Sequence, residues 1–393
     1  MHQFSSIASL CAIWLMILLP SSQDLAAQQS TPSSPILQST RPTAAEVERR
    51  IKSLNEQKAA GGWAFEIGAT DLLKFSITEL VGSAKGLPPR RLLIKRRAYA
   101  LSALALYHKV KRRLGIENHG LEAHCRPTAK AFDWYHKGYV LPPRSQDPGN
   151  GITCGSCWAF ASVAAFESSH LIEIGAHADG VPPAVEASEQ RILNCTPDSS
   201  CGLGYVYKAL DQLVLAGTIK RSETFGHYVA SKFECLPRTR NLTYHAVAWG
   251  PIILNSAEVA PPRRIKEALC NYGPVTSRIV VDDAFRTYSG GAPFHQVNSV
   301  NIHDPSHGHH VVIVGWDDSK GRNGAWLIKN SWGPTWGMAK EGMAGYAWVE
   351  YGANQIGHHA NWIQAYHPKV SSRRLLRELF RLKRQYYSEY KLN

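Results

Sequence analysis

Three side chains far apart in the sequence have the types needed to attack a carbonyl group. Cys157 lies in the run Cys154-Gly155-Ser156-Cys157-Trp158, which precedes an apolar, alanine-rich stretch from Ala159 to Ile174 that stops at Gly175. This pattern predicts a buried helix with Cys157 at its N-terminus, where unpaired backbone N–H groups and a partial positive charge favour thiolate over thiol. A thiolate nucleophile needs a partner of near-neutral pKa to keep it ionised and to protonate a leaving amine, which is work for histidine. Among 17 histidines, position favours His309 and His310, which start the apolar strand predicted up to Trp316. Asn330 ends a second predicted strand that begins near Ala325. Its side-chain carbonyl would accept from the imidazole and hold the ring toward sulfur, and Trp332 would shield that bond from water. A zinc knuckle or a redox pair is the structural alternative for Cys154 and Cys157, but zinc needs two more ligands and the chain has no second CxxC.

These residues sit in a chain of 393 residues, 44% hydrophobic and 19% charged, which is enough to bury a large core in two or three compact units. The formal charge of +13 is concentrated. Residues 85–113 hold ten basic side chains and no acid, and residues 369–393 hold eight basic and two acidic, which leaves the rest at −3. A near-neutral body between basic flanks argues against nucleic-acid binding, and neither flank carries a reader motif.

The first 27 residues contain an apolar run from Ile7 to Leu19, then Pro20 and Leu25-Ala26-Ala27, and read as a signal peptide at 1–27. No later stretch has the 18 apolar residues of a membrane span. Residues 28–43, rich in Ser, Thr, Gln and Pro, read as a linker. Helices are expected over Ala44 to Ala60, stopped by Gly61-Gly62, and over Arg90 to Leu114, stopped by Gly115. The second is basic at both ends with an apolar middle, and reads as a solvated surface helix rather than a membrane contact. Near the end, Ser371 to Tyr387 would place Leu375, Leu376, Leu379 and Phe380 on one face of an amphipathic helix, expected to dock on the protein or to be trimmed.

From Phe132 to Tyr366 the sequence resembles the papain family of cysteine peptidases. The resemblance rests on several blocks in order: Phe132-Asp133-Trp134, the Cys154 to Phe160 run, Ser188 to Cys195, Ile265 to Val275, Tyr288 to Gly291, Gly308 to Trp316 and Lys329 to Gly337. It implies an α+β, two-lobed fold: an α-helical lobe and an antiparallel β-barrel-like lobe with the cleft between them, preceded by a helical propeptide. The units would be a propeptide at 28–128 (helical from 44), a peptidase domain at 129–368 and a basic extension at 369–393. Aligned on Gly315, the family's histidine falls on His309, and His310 takes a place usually held by alanine. The family's oxyanion-hole glutamine would fall on Gly151, but Gln146, followed by turn formers, is expected to serve across an inserted loop.

The resemblance further implies disulfides Cys154–Cys201 and Cys195–Cys235. That leaves over Cys125, near the propeptide junction, and Cys270, which sits on a predicted helix from Arg264 to Asn271 and reads most simply as a buried free thiol. Gly204, Ser156 and Trp332 would contact substrate. Leu203 replaces a family glycine and is expected to narrow the cleft, while Val206 and Tyr207 would line the pocket for the residue two before the scissile bond. The leader lacks the long helical signature of cathepsin L-like propeptides and more faintly resembles the short cathepsin B type. The expected function is a cysteine endopeptidase made as a zymogen, with a noncatalytic peptide- or partner-binding protein of the same fold as the alternative. Its partners would be protein or peptide substrates and its own propeptide, and it would act as a monomer without metal or organic cofactor. It is expected to be secreted, or to act in a periplasmic or lysosome-like compartment.

Overall fold

The structure is a computed structural model that describes residues 42–83, 88–116, 125–149, 153–180, 184–223, 226–236, 244–296, 305–370 and 372–390. The expected signal peptide, nearly all of the linker, Cys11 and Gly151 lie outside the described residues.

The chain opens with helix α1 (Ala44–Gly61), where the Thr43 hydroxyl accepts from the Glu46 amide and the Glu46 carboxylate accepts from that of Thr43. A short strand β1 (Phe65–Ile67) and a one-turn helix α2 (Ile77–Leu80) follow, and then a 24-residue helix α3 (Arg90–Arg113). Beyond it come strand β2 (Ala131–Asp133) and helices α4 (Cys157–Ile174), α5 (Glu189–Cys195) and α6 (Val206–Leu215), which pack together as a helical layer. Helix α4 buries nearly every residue, as its all-round apolar sequence requires.

The second half alternates β3 (Ala246–Pro251), α7 (Pro262–Tyr272), β4 (Val275–Val280), α8 (Asp283–Arg286), β5 (Tyr288–Gly291), β6 (Gly308–Asp317) and β7 (Ala325–Lys329). The short pair β8 (Gly337–Met338) and β9 (Met343–Ala344) precedes β10 (Tyr346–Glu350), β11 (His358–Ala365) and a final helix α9 (Arg373–Tyr386). Antiparallel strands run in the order β10-β7-β6-β4-β11-β3, with β2 also on β6. The expected barrel-like lobe is therefore an open sheet with bulges in β6 and β11, not a closed barrel. One face of it carries α4, and the two layers meet along β6 and β11.

Three expectations change. Helix α3 is solvated on one face only: the other packs on β3 and buries Leu93, Arg96, Tyr99, Ala103 and Tyr107. Helix α9 does dock, on α3, but through Leu375, Leu379 and Leu382, while Leu376 and Phe380 stay exposed. The face is rotated because the neighbouring helix, not the local pattern, selects the seam.

The third change is covalent. The implied disulfides Cys154–Cys201 and Cys195–Cys235 are present, and Cys125, left without an expected partner, bonds Cys270, expected to be a free thiol. Cys270 faces inward from α7, and the chain before β2 passes it, a proximity that no spacing rule contains. A link across 145 residues restricts the unfolded chain by about 4–5 kcal/mol.

Candidate active site

Cys157, the free cysteine among the described residues, starts α4 and is fully buried. Backbone N–H groups of His310, Gly82 and Trp158 face its sulfur. Even so, burial pushes the thiol up to about 11, and these amides only partly offset it. The helix terminus alone therefore does not produce a thiolate while the site is covered.

His309, the second residue of β6, is also fully buried, and its Nε2 lies 2.7 Å from Asn330 Oδ1 at the end of β7. The same Oδ1 accepts the Ser331 backbone N–H at 2.8 Å. That donor is unambiguous, so it fixes which way the carboxamide faces. Nε2 must then donate to Oδ1, and in the neutral ring the lone pair sits on Nδ1, which has no hydrogen-bond partner. Trp332 covers the pair, stacked on His309 at 4.4 Å between ring centroids, and is itself buried. His310 points elsewhere, into a group with Arg278, His358 and His359.

Gln146 lies at the same place despite the displaced sequence position. Its backbone N–H donates to Ser331 O, and its Oε1 accepts from Ser331 Oγ at 2.6 Å. Its Nε2 donates to Cys154 O at 2.9 Å and to Leu80 O at 3.2 Å. Two residues earlier, Arg144 anchors this stretch through Glu167 at 2.8 Å and Glu189 at 2.6 Å. Tyr228 OH ties Gln146 O to Ser156 Oγ. Sequence reasoning missed Ser331, Arg144 and Tyr228. Ser331 sat beside Asn330 and was available to notice, whereas Tyr228 is 82 residues from Gln146 and carried no local signal.

Ser156, expected to contact substrate, is fully buried and bonds Tyr228 and Cys154 O. It braces the turn before Cys157. Gly204 lines the cleft through its backbone, and any Cβ there would run into the Trp158 ring. Leu203, beside it, is 44% exposed.

The space over Cys157 is filled by the chain's own N-terminal segment. Gly204 N–H donates to Gly82 O at 2.7 Å, Ser83 N–H donates to Gly308 O at 3.1 Å, and Ser83 pairs with Gly204 as a parallel bridge. At the far side β1 pairs with β5, and Phe75 O accepts from Arg286. Residues 80–83 thus lie directly over Cys157.

Burial holds both His309 and His170 down to about 4. Unfolded histidine takes up a proton near 6.5, so these groups stabilise the fold fully above that pH, and their contribution is lost as pH falls toward 4. The melting temperature of the full chain is expected to decline across pH 6.5 to 4, with proton uptake on unfolding. His170→Phe, which keeps the ring among Phe166 and Tyr244, should flatten the decline. An unchanged slope would refute that contribution.

The sequence profile described as papain family cysteine protease matches residues 128–365. Digestive cysteine proteinase 3 of Homarus americanus is 29% identical over 222 residues, covering 55% of this chain and 61% of that protein. Human cathepsin L2 is 29% identical over 218 residues, covering 53% of this chain and 58% of that protein. The matched region thus spans about three-fifths of these relatives' length. Digestive procathepsin L 3 from the larval midgut of Tenebrio molitor superposes with a TM-score of 0.58 at 20% identity, over 81% of this chain and 89% of that one.

Proposed function

The chain belongs to the papain family of cysteine proteases by its match over residues 128–365, and on that premise we propose that it is an endopeptidase held latent by its own N-terminal segment. Cys157 Sγ attacks a peptide carbonyl carbon. His309 takes the thiol proton on Nδ1 and passes it to the leaving nitrogen as the C–N bond breaks, leaving a thioester. Water then attacks that thioester with the same imidazole as base, and the acid departs with Cys157 restored as a thiol. Asn330 keeps the ring in the tautomer that can accept at Nδ1, under the cover of Trp332. Gln146 Nε2 and the Cys157 backbone N–H stabilise the oxyanion.

The observation that carries this reading is the His309 to Asn330 bond, with Nδ1 left free and the carboxamide locked by Ser331 N–H. Latency follows from the same geometry: Leu80 O holds the Gln146 donor that the oxyanion needs, and Gly82 shields the sulfur. Three disulfides favour an oxidising compartment, in line with secretion or a lysosome-like lumen. Among the described residues no helix is long and apolar enough to cross a membrane.

The test is hydrolysis of a mixed fluorogenic peptide library by processed, reduced protein. Cys157→Ala should abolish cleavage, and Gln146→Ala should lower kcat by about 100- to 1,000-fold, the usual cost of one oxyanion donor. If the folded, processed chain with a reduced Cys157 cleaves nothing, the peptidase reading fails and peptide binding through the same cleft replaces it.

A further inference from the structure

We propose that helix α3 is not part of the removable leader but stays in the mature protein with α9, and that its first turn walls the side-chain pocket next to Gly204. The second half rests on the peptidase reading; the first does not.

The two halves of the N-terminal region are built differently. Residues 80–83 supply the leader atoms that face Cys157 and Gln146, so removing the chain up to Ser83 is enough to uncover them. Helix α3 supplies none of those contacts. Its polar side chains instead complete ion pairs inside the body. Arg96 makes a two-pronged bond to Asp211 of α6 at 2.7 and 2.8 Å, and both groups are fully buried. Lys111 Nζ reaches Glu173 of α4 at 2.5 Å, and Tyr107 OH donates to the same carboxylate at 2.7 Å while accepting the His367 N–H. Tyr99 OH donates to Val247 O in β3. Loss of the helix would leave two interior carboxylates without their cations and strip the outer face of β3, which a cleavable leader has no reason to complete.

The C-terminal extension closes over the helix. Arg96 also donates to Tyr386 O at 2.7 Å and to Glu389, and its guanidinium lies 3.8 Å from the Tyr387 ring centre. Lys383 donates to Val214 O at the end of α6. The helix continues by chain toward Cys125, fastened to Cys270 of α7, so a cut before Arg90 leaves it attached. The leader that departs would then end near Ser83 rather than near residue 128.

A retained α3 changes the cleft. Beside Gly204 a pocket is lined by Val206, Ile253, Ala360 and His310 from the body, by Pro88 just before α3 and by Leu93 in its first turn. Leu93 is buried against this wall. A substrate side chain entering beside Gly204 would meet Leu93, so its size limit is set by a residue outside the region that matches the family.

Two arms test this on the full chain. In the first, latent protein is converted by its own activity or by limiting trypsin, and intact mass is read under native and denaturing conditions. The expected product starts between Ser83 and Arg90 and keeps α3. A product that starts after Arg113, with no α3 peptide bound, overturns the proposal whether or not the protein is active. In the second arm, kcat/KM is measured on peptides that differ only at the residue two before the scissile bond. Leu93→Ala should raise the ratio for aromatic over small residues by about tenfold, and Leu93→Met should keep the parent ratio. A uniform fall across all peptides would overturn the wall assignment. Absence of any Cys157-dependent cleavage would also remove that assignment, together with the peptidase reading, while the mass arm still decides whether α3 is retained.

Discussion

The uncleaved chain carrying Gly82→Val will react with a small thiol reagent at Cys157 about 100-fold faster than the unsubstituted chain, because it loses three hydrogen bonds worth about 1 kcal/mol each. The bonds are those from Gln146 Nε2 to Leu80 O, from Gly204 N to Gly82 O and from Ser83 N to Gly308 O. A Cβ on Gly82 would overlap the backbone of Gly155, and Gly155 cannot retreat. It is adjacent to Cys154, which is bonded to Cys201, and it packs against the Cys201 carbonyl. The leader must therefore lift. Lifting also admits water to the sulfur, and since burial is the largest cause holding the thiol up near 11, the thiolate fraction at neutral pH should rise as well. Iodoacetamide labelling of folded protein, followed by mass, reads both effects, and the same variant should show slow peptide hydrolysis without any cut. Labelling no faster than in the parent chain would mean that the segment over Cys157 is not what keeps it silent.

The site was legible because its residues lie in short blocks whose spacing is set by local structure. Cys157 announces a helix start, and His309 and Asn330 mark the beginning of one strand and the end of its neighbour, β6 and β7, which pair directly. Gln146 was harder. Its place is set not by distance from Cys157 but by backbone pairing with Ser331. The fold around the site was legible in its strands and in α4, and much less so in its outer layer. Arg96 and Lys111 sit in a run of basic residues that reads as a solvated face, because nothing nearby in sequence would neutralise them. Their partners, Asp211 and Glu173, lie 115 and 62 residues away. Cys125 and Cys270 were hidden for the same reason: pairing across 145 residues is a property of packing, not of spacing.

That outer layer makes Arg96→Met the substitution with the largest expected cost in stability, about 3–5 kcal/mol, the usual penalty for stranding one partner of a buried pair. Asp211 would keep the Trp249 Nε1 donor at 2.7 Å and the Tyr390 hydroxyl at 2.9 Å, but its charge would have no counter-ion in the interior. Arg96→Met with Asp211→Asn removes the charge, keeps an acceptor for Trp249, and should recover much of the loss. The exposed pair Arg263–Glu267 gives the contrast: Arg263 is 87% exposed, and Arg263→Ala should change stability by less than about 0.5 kcal/mol. Urea unfolding of the four proteins decides between these outcomes. If Arg96→Met falls within the range of the surface variant, Arg96 does not anchor α3, and the case for a retained helix loses its strongest support. If the loss is large and the double variant regains it, the same basic residue that reads as surface charge in the sequence is the pin that joins α3, α6 and the C-terminal segment. The Arg96→Met chain should then also become cleavable within α3, since a helix released from Asp211 can unwind and offer its backbone to a protease.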